Sequence, residues 1–181
     1  MQELSLHLLD IAQNAIAANA TKIHITVEVR EEEDVLLLTV EDNGSGMEPA
    51  QAKKAADPFF TGRTTRKVGL GLSLLEMAAR QSGGSLSIAS QKGEGTRVQA
   101  SFGLSHIDRM PMGDLAGTVC ALIQCNPLLD FVFTCRGGKG EFMLSTAELR
   151  GIFEEIPLSH PQVILHIGDY IRQHTAQILT D

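Results

Sequence analysis

Residues 41–47 read EDNGSGM, from Glu41 to Met47, directly after the apolar run VLLLTV. A plain turn needs one or two special residues. This one carries two acids, an Asn and two glycines. Glycine at Gly44 and Gly46 lets backbone come close to another group. A carboxylate such as Asp42 accepts hydrogen bonds from amino groups. Taken alone, the stretch fits a capped turn or a ligand loop, and its neighbours decide which.

Upstream, residues 4–18 place Leu4, Leu8, Ile11, Ala12, Ala15 and Ile16 at helical spacing. Asp10 and Asn14 stand four apart on one face of that helix, with Gln13 on a neighbouring face. An acid and an amide so placed suit a hydrated divalent cation, and equally a solvated stripe. Residues 22–29 alternate through Ile23, Ile25, Val27 and Val29, the pattern of a half-buried strand. Residues 31–34, EEED, read as a solvated hairpin turn, and residues 35–41 as the second strand.

Downstream, a short helix is predicted near residues 49–56, then a loop, DPFFTGRTTRKVGLGLS, over residues 57–73. Gly69 and Gly71 open a helix over residues 70–82. Paired glycines there let amides meet a phosphate, and the helix terminus adds a favourable dipole. Arg63, Arg66 and Lys67 add positive charge, or form an ordinary solvated loop. SLSIAS and TRVQASF then give two strands around Gly93 and Gly95, with Thr96 at the start of the second.

The order of these signals resembles one family: the ATP-binding fold shared by DNA gyrase, Hsp90 chaperones, sensor histidine kinases and MutL mismatch-repair proteins. The resemblance covers roughly residues 1–103 and implies an α/β fold, a two-layer sandwich known as the Bergerat ATP-binding fold. It implies ATP and Mg²⁺ as ligands. Asn14 matches the family's Mg²⁺-binding Asn. Asp10 stands where many members place the Glu that activates water, and a shorter side chain there puts hydrolysis in doubt. Asp42 matches the group that reads the adenine amine; guanine presents a carbonyl there, which a carboxylate disfavours. Gly44 and Gly46 would give clearance, Asn43 a brace, and Met47 a floor under the base. Phe59, Phe60 and Thr61 to Thr65 match the lid over the phosphates. Gly69 and Gly71 match the glycine pair at the triphosphate, and Thr96 the strand residue beside adenine. Lys67, by proximity, is a candidate for the γ-phosphate. No Walker A pattern occurs.

The remaining residues narrow the function classes. The chain has 181 residues and a formal net charge of −7. Residues 1–103 hold 13 Asp+Glu and 10 Lys+Arg, and residues 104–181 hold 9 and 5. Neither part is basic, and with seven Phe, one Tyr and no Trp, nucleic acid is not an expected partner. No leader or long apolar span is visible, so a cytoplasmic location without membrane insertion is expected. Cys120, Cys125 and Cys135 read as core or near-core thiols rather than a disulfide or metal set. Residues 104–181 are expected to form a small α+β subdomain of unknown role, with a helix over 113–125, a hairpin around Gly137, Gly138 and Gly140, and two helices capped by Ser145 or Thr146 and by Ser159. His7 is expected to be a partly exposed helix residue and no phosphoacceptor.

Two function classes follow. As an enzyme, the chain phosphorylates a partner protein in trans, as the anti-sigma serine kinases it resembles in size do, or hydrolyses ATP slowly with Asp10 as base. As a regulatory module, it changes a protein-binding surface on taking up ATP. A protein partner is expected in either class, and a homo-oligomer is compatible with both.

Overall fold

A computed structural model describes residues 3–52 and 70–179. In chain order they form α1 (Leu4–Ala17), β1 (Lys22–Arg30), a 3-10 turn (Glu31–Glu33), β2 (Val35–Asp42), α2 (Pro49–Ala52), α3 (Leu70–Gln81), β3 (Leu86–Gln91) and β4 (Gly95–Gly103). There follow α4 (Leu115–Cys125), β5 (Asp130–Gly137), β6 (Gly140–Ser145), α5 (Thr146–Phe153) and α6 (Pro161–Leu179). Of the helix expected near 49–56, the described part is helical. Phe59, Phe60, Thr61 to Thr65, Lys67 and Gly69 lie outside the described residues.

All six strands join one sheet in the order β3-β4-β2-β1-β5-β6. Every neighbouring pair is antiparallel except β1 and β5, which run parallel, with Lys22 opposite Asp130. Alternation sets the two faces. The register lines up Ile88, Val98, Val40, Ile25, Phe133 and Leu144 in one row across the sheet. Ala100, Leu38, Val27, Cys135 and Phe142 make the next row, and all of these are buried. The opposite face is polar, with Gln99 on Thr39, His24 on Thr134, and Glu28 between Arg30 and Arg136.

Helices cover the apolar face. α1 lies between α3 and α4, and α4 in turn packs on α6. α1 offers Leu4, Leu8, Ile11 and Ala15, all buried, because their spacing keeps them on one side of the helix. Burying one such Leu or Ile side chain stabilises the fold by about 1.5–3 kcal/mol. No described helix is long and apolar enough to cross a membrane.

Four local expectations are corrected. His7 is 1% exposed, and neither ring nitrogen has a hydrogen-bond partner among the described residues. Ser145 precedes α5 but makes no side-chain cap; the Thr146 hydroxyl turns inward and accepts from the Phe131 N–H at 2.8 Å. At the start of α6, His160 takes the capping role expected of Ser159, its Nδ1 accepting from the Gln162 N–H at 3.3 Å. Cys120 and Cys135 are buried but Cys125 is exposed, and all three are free. Burial pushes the Cys135 thiol up to about 12, so it stays protonated and unreactive.

His7 gives a testable consequence. Burial, with a smaller effect from the chain's amino terminus, lowers its pKa from 6.5, partly offset by Asp10. The unfolded chain then takes up this proton at higher pH than the folded chain. Stability is complete above about pH 6.5 and falls as pH drops toward the lowered folded value. His7→Leu removes two unsatisfied buried nitrogens. It should raise stability by about 1 kcal/mol at pH 7 and flatten this decline, as measured by urea unfolding at several pH values.

Candidate nucleotide-binding site

The sheet ends at Asp42 on β2 and Thr96 on β4, which are directly opposite each other. Asp42 Oδ1 accepts from the Gly44 N–H at 2.8 Å, so the carboxylate closes the first turn of the loop. Burial pushes the Asp42 carboxyl up from its ordinary value, while the N–H groups of Gly44 and Thr96 pull it back. A half-buried acid that already accepts a backbone hydrogen bond is held in one orientation and is suited to reading an amine.

Asn43 braces the loop, as expected. Its Oδ1 accepts from the N–H groups of Thr21 and Lys22 at 2.9 Å each, and its Nδ2 donates to Thr21 Oγ1 at 2.8 Å. The loop then passes under the end of α1, where the Ser45 N–H donates to Ala18 O at 2.8 Å. Space explains Gly44, because a Cβ there would stand 2.7 Å from Ala18 O. Gly46 needs both space and backbone freedom. Its φ is +62°, and a Cβ would fall 1.9 Å from Gln91 O. Gly46→Ala should therefore cost at least about 2 kcal/mol in denaturant unfolding, the left-handed conformation alone accounting for about 1–2.

Ser90 is a residue that the sequence reading missed. Its Oγ accepts from the Met47 N–H at 2.8 Å and lies 2.8 Å from Thr96 Oγ1, so it ties the loop to the β3–β4 hairpin. A serine in an alternating strand carries no local mark of such a role; only the register opposite Thr96 reveals it. A Cβ on Gly93 would meet nothing, but the Gly93 N–H donates to Ser45 O at 2.8 Å and so also ties the hairpin to the loop, whereas a Cβ on Gly95 would strike Asp42 O at 1.9 Å. Met47 is half-buried beside these groups. An open cleft of about 360 Å³ at this end of the sheet is lined by Glu41, Ala89 and Arg97 as well as by Asp42, Ser90 and Thr96, and so reaches round to the polar face.

At the other end of the candidate site, Asp10 and Asn14 are both half-buried, one turn apart on α1. Asp10 reaches the first turn of α3, where a Cβ on Gly71 would fall 1.5 Å from Asp10 Oδ2. Only glycine leaves room for that carboxylate. A helix start presents free amides and a positive dipole end, which favour a carboxylate or a phosphate. The oxygens of Asp10 and Asn14 are of the hard type that Mg²⁺ takes, and Mg²⁺ on a nucleotide needs only one or two protein ligands. Among the described residues, no cluster of three or more His, Cys, Asp or Glu could hold a metal by itself. The structure thus brings together Asp42, Gly44, Gly46, Met47 and Thr96 at one end, and Asp10, Asn14 and Gly71 at the other. Phe60, Thr61, Lys67 and Gly69 lie outside the described residues.

Comparison with known proteins bears on the fold and on nucleotide binding. The family model described as histidine kinase-, DNA gyrase B-, and HSP90-like ATPase matches residues 2–106. Sensor histidine kinase ZraS of Salmonella typhi is 36% identical over 89 residues, which is 49% of this chain and 19% of that protein. Sensor protein kinase FleS of Pseudomonas aeruginosa is 40% identical over 58 residues, 32% of this chain and 14% of that protein. The match thus spans less than a fifth of either relative's length. Among solved structures, the N-terminal domain of a DNA repair protein superposes with a TM-score of 0.54 at 16% identity. That superposition covers 80% of this chain and 53% of that one, and it shows a shared fold. The family match takes in both ends of the candidate site, and it supports ATP binding. The chain belongs to the histidine kinase-, DNA gyrase B- and HSP90-like ATPase family.

Proposed function

We propose that this chain is a cytoplasmic, Mg²⁺-dependent ATP-binding regulatory protein that phosphorylates a partner protein in trans. In this reading Asp42 accepts from the adenine amine, Gly44 and Gly46 give the base clearance, Met47 floors it, and Thr96 flanks it. Asn14 supplies an oxygen to Mg²⁺, which when bound neutralises phosphate charge. Gly69 and Gly71 receive the triphosphate at the start of α3. Phe60 and Thr61 cover it, and Lys67 neutralises the γ-phosphate. Residues 1–103 form the ATP-binding part, and residues 104–181 a C-terminal part that extends its sheet.

The observation that carries the kinase reading is the shorter acid at position 10. Asp10 packs on Gly71, one helical turn from Asn14, and its reach is one methylene less than that of a Glu. A base set back from its water is a poor hydrolytic catalyst, so bound ATP is preserved for a protein acceptor. The similarity to sensor kinases supports the same direction. A second reading, a slow ATPase with Asp10 as base, is favoured by the nearness of Asp10 to Gly71. A switch without turnover is the third.

The test supplies γ-labelled ATP and Mg²⁺ to the protein together with soluble bacterial extract. Label on a protein band that disappears with Asp42→Asn supports the kinase. Release of inorganic phosphate alone, lost in Asp10→Asn with ATP binding kept, supports the ATPase and rejects the kinase. Neither product, with ATP still bound, leaves the switch.

A further inference from the structure

The far edge of the sheet points to an interface. Among the described residues, β6 pairs with β5 alone and is the last strand of the sheet. The Asp130 N–H donates to Thr21 O on the β1 side, and the Phe131 N–H donates to Thr146 on the β6 side. Even-numbered residues of β5 therefore face β1, and odd-numbered ones face β6. The register sets Phe133 opposite Leu144 and Cys135 opposite Phe142. So Phe142 and Leu144 bond to β5, while Glu141, Met143 and Ser145 direct their N–H and C=O groups outward.

Natural edges are blunted by proline, lysine, bulges or a covering element. Gly140–Ser145, GEFMLS, has no proline, no lysine and an unbroken register. The opposite edge differs, because α2 packs beside β3 and the Met47 N–H bonds Ser90. Apolar side chains are also exposed at the β6 edge: Met143 is 56% exposed, and Tyr170 of α6, packed against Phe142, is 48% exposed.

We propose that β6 pairs antiparallel with β6 of a second copy of this chain, about a two-fold axis through Met143. That axis passes through a residue whose backbone groups face outward, so both copies bond in phase. Met143 meets its own counterpart, and Phe142 meets Leu144 on the apolar face. Glu141, the one charged residue of β6, meets Ser145, so no like charges stand opposite each other. The helices fit as well. α6 contacts both β5 and β6, with Phe142 against Tyr170 and His174 at 5.3 and 5.1 Å. Two helices each centred over its own β5–β6 pair are two strand spacings apart, about 10 Å, which is a helix-packing distance. The sheet and its helical layer then continue through both copies. The dimer is isologous and closed.

Sedimentation equilibrium of the full chain tests this. A dimer is expected, with a dissociation constant raised at least ~100-fold by Met143→Lys, which sets two like charges on the axis. Met143→Pro removes only an outward N–H, spares the bonds to β5, and should also give a folded monomer. The register is read separately in a Cys125→Ser background. Met143→Cys should cross-link to its counterpart with a short bis-maleimide, whereas Glu141→Cys, about 13 Å from its own counterpart, should not. A wild-type monomer, a dimer that survives both Met143→Lys and Met143→Pro, or equal cross-linking from positions 141 and 143 would overturn the proposal.

Discussion

Replacing Asp42 with Asn should weaken ATP binding about 100-fold, roughly 3 kcal/mol, and remove the preference for ATP over GTP. Two features set that size. The carboxylate is half-buried at the end of β2, so its bond to an amine is charge-assisted and poorly replaced by water. It is also held in place by the Gly44 N–H, so it does not pay for orientation when ligand arrives. Asn keeps an oxygen that can accept from Gly44, so the loop should stay folded and the loss should appear in binding alone. Its amide also offers a donor to the carbonyl of guanine, which the carboxylate cannot do. GTP affinity should therefore rise while ATP affinity falls. Competition between the two nucleotides measures both, and a matching loss of thermal stability without ligand would assign the effect to folding instead.

The second large effect concerns the sheet. Phe133 on β5 is 1% exposed and stands beside Ile25 of β1 and Leu144 of β6 in one core row. Phe133→Ala should cost about 3–5 kcal/mol, because it removes a buried ring and leaves a cavity lined by the same row. The change lies far along the chain from Asp42, yet β5 is bonded to β1, and β1 to β2, which carries Asp42. Unfolding should remain a single transition that shifts as a whole, with ATP binding lost at the same denaturant concentration. Two separate transitions, the first leaving ATP binding intact, would show residues 104–179 to unfold on their own.

The elements were legible in the sequence for a physical reason. The spacing of Leu4, Leu8, Ile11 and Ala15 is helical, and the alternation of Ile23, Ile25, Val27 and Val29 is that of a half-covered strand. Both follow from a single apolar face. Partnership was less legible. Nothing local in DFVFTCRG says that it pairs parallel with β1, because that contact joins Lys22 to Asp130 across the chain. The boundary expected near residue 103 does not interrupt the sheet, whose hydrogen bonds join β1 to β5 across it. The burial of His7 was not foreseen because a histidine is ordinarily at least partly exposed, although its place three residues after Leu4 and four before Ile11 sets it beside the buried stripe of α1.

At the candidate site, the glycines and acids were legible because each departs from what a strand or turn needs. Asp42 and Gly44 form the capped turn that the plain reading foresaw; that this turn also meets adenine belongs to the proposed function. Ser90 was not legible, since its role depends on Met47 and Thr96, which reach it through register. The fit of Asp10 onto Gly71 was equally hidden, as it joins two helices far apart in the chain.

The central claim is that EDNGSGM, Asn14 and the start of α3 form one adenine-selective ATP site. Calorimetric titration of the full chain with ATP and Mg²⁺ tests it most directly. Saturable binding below about 1 mM, at least ~10-fold tighter for ATP than for GTP and weakened by Asp42→Asn, is the expected result. No binding heat at millimolar ATP, or equal affinity for the two nucleotides, would contradict it.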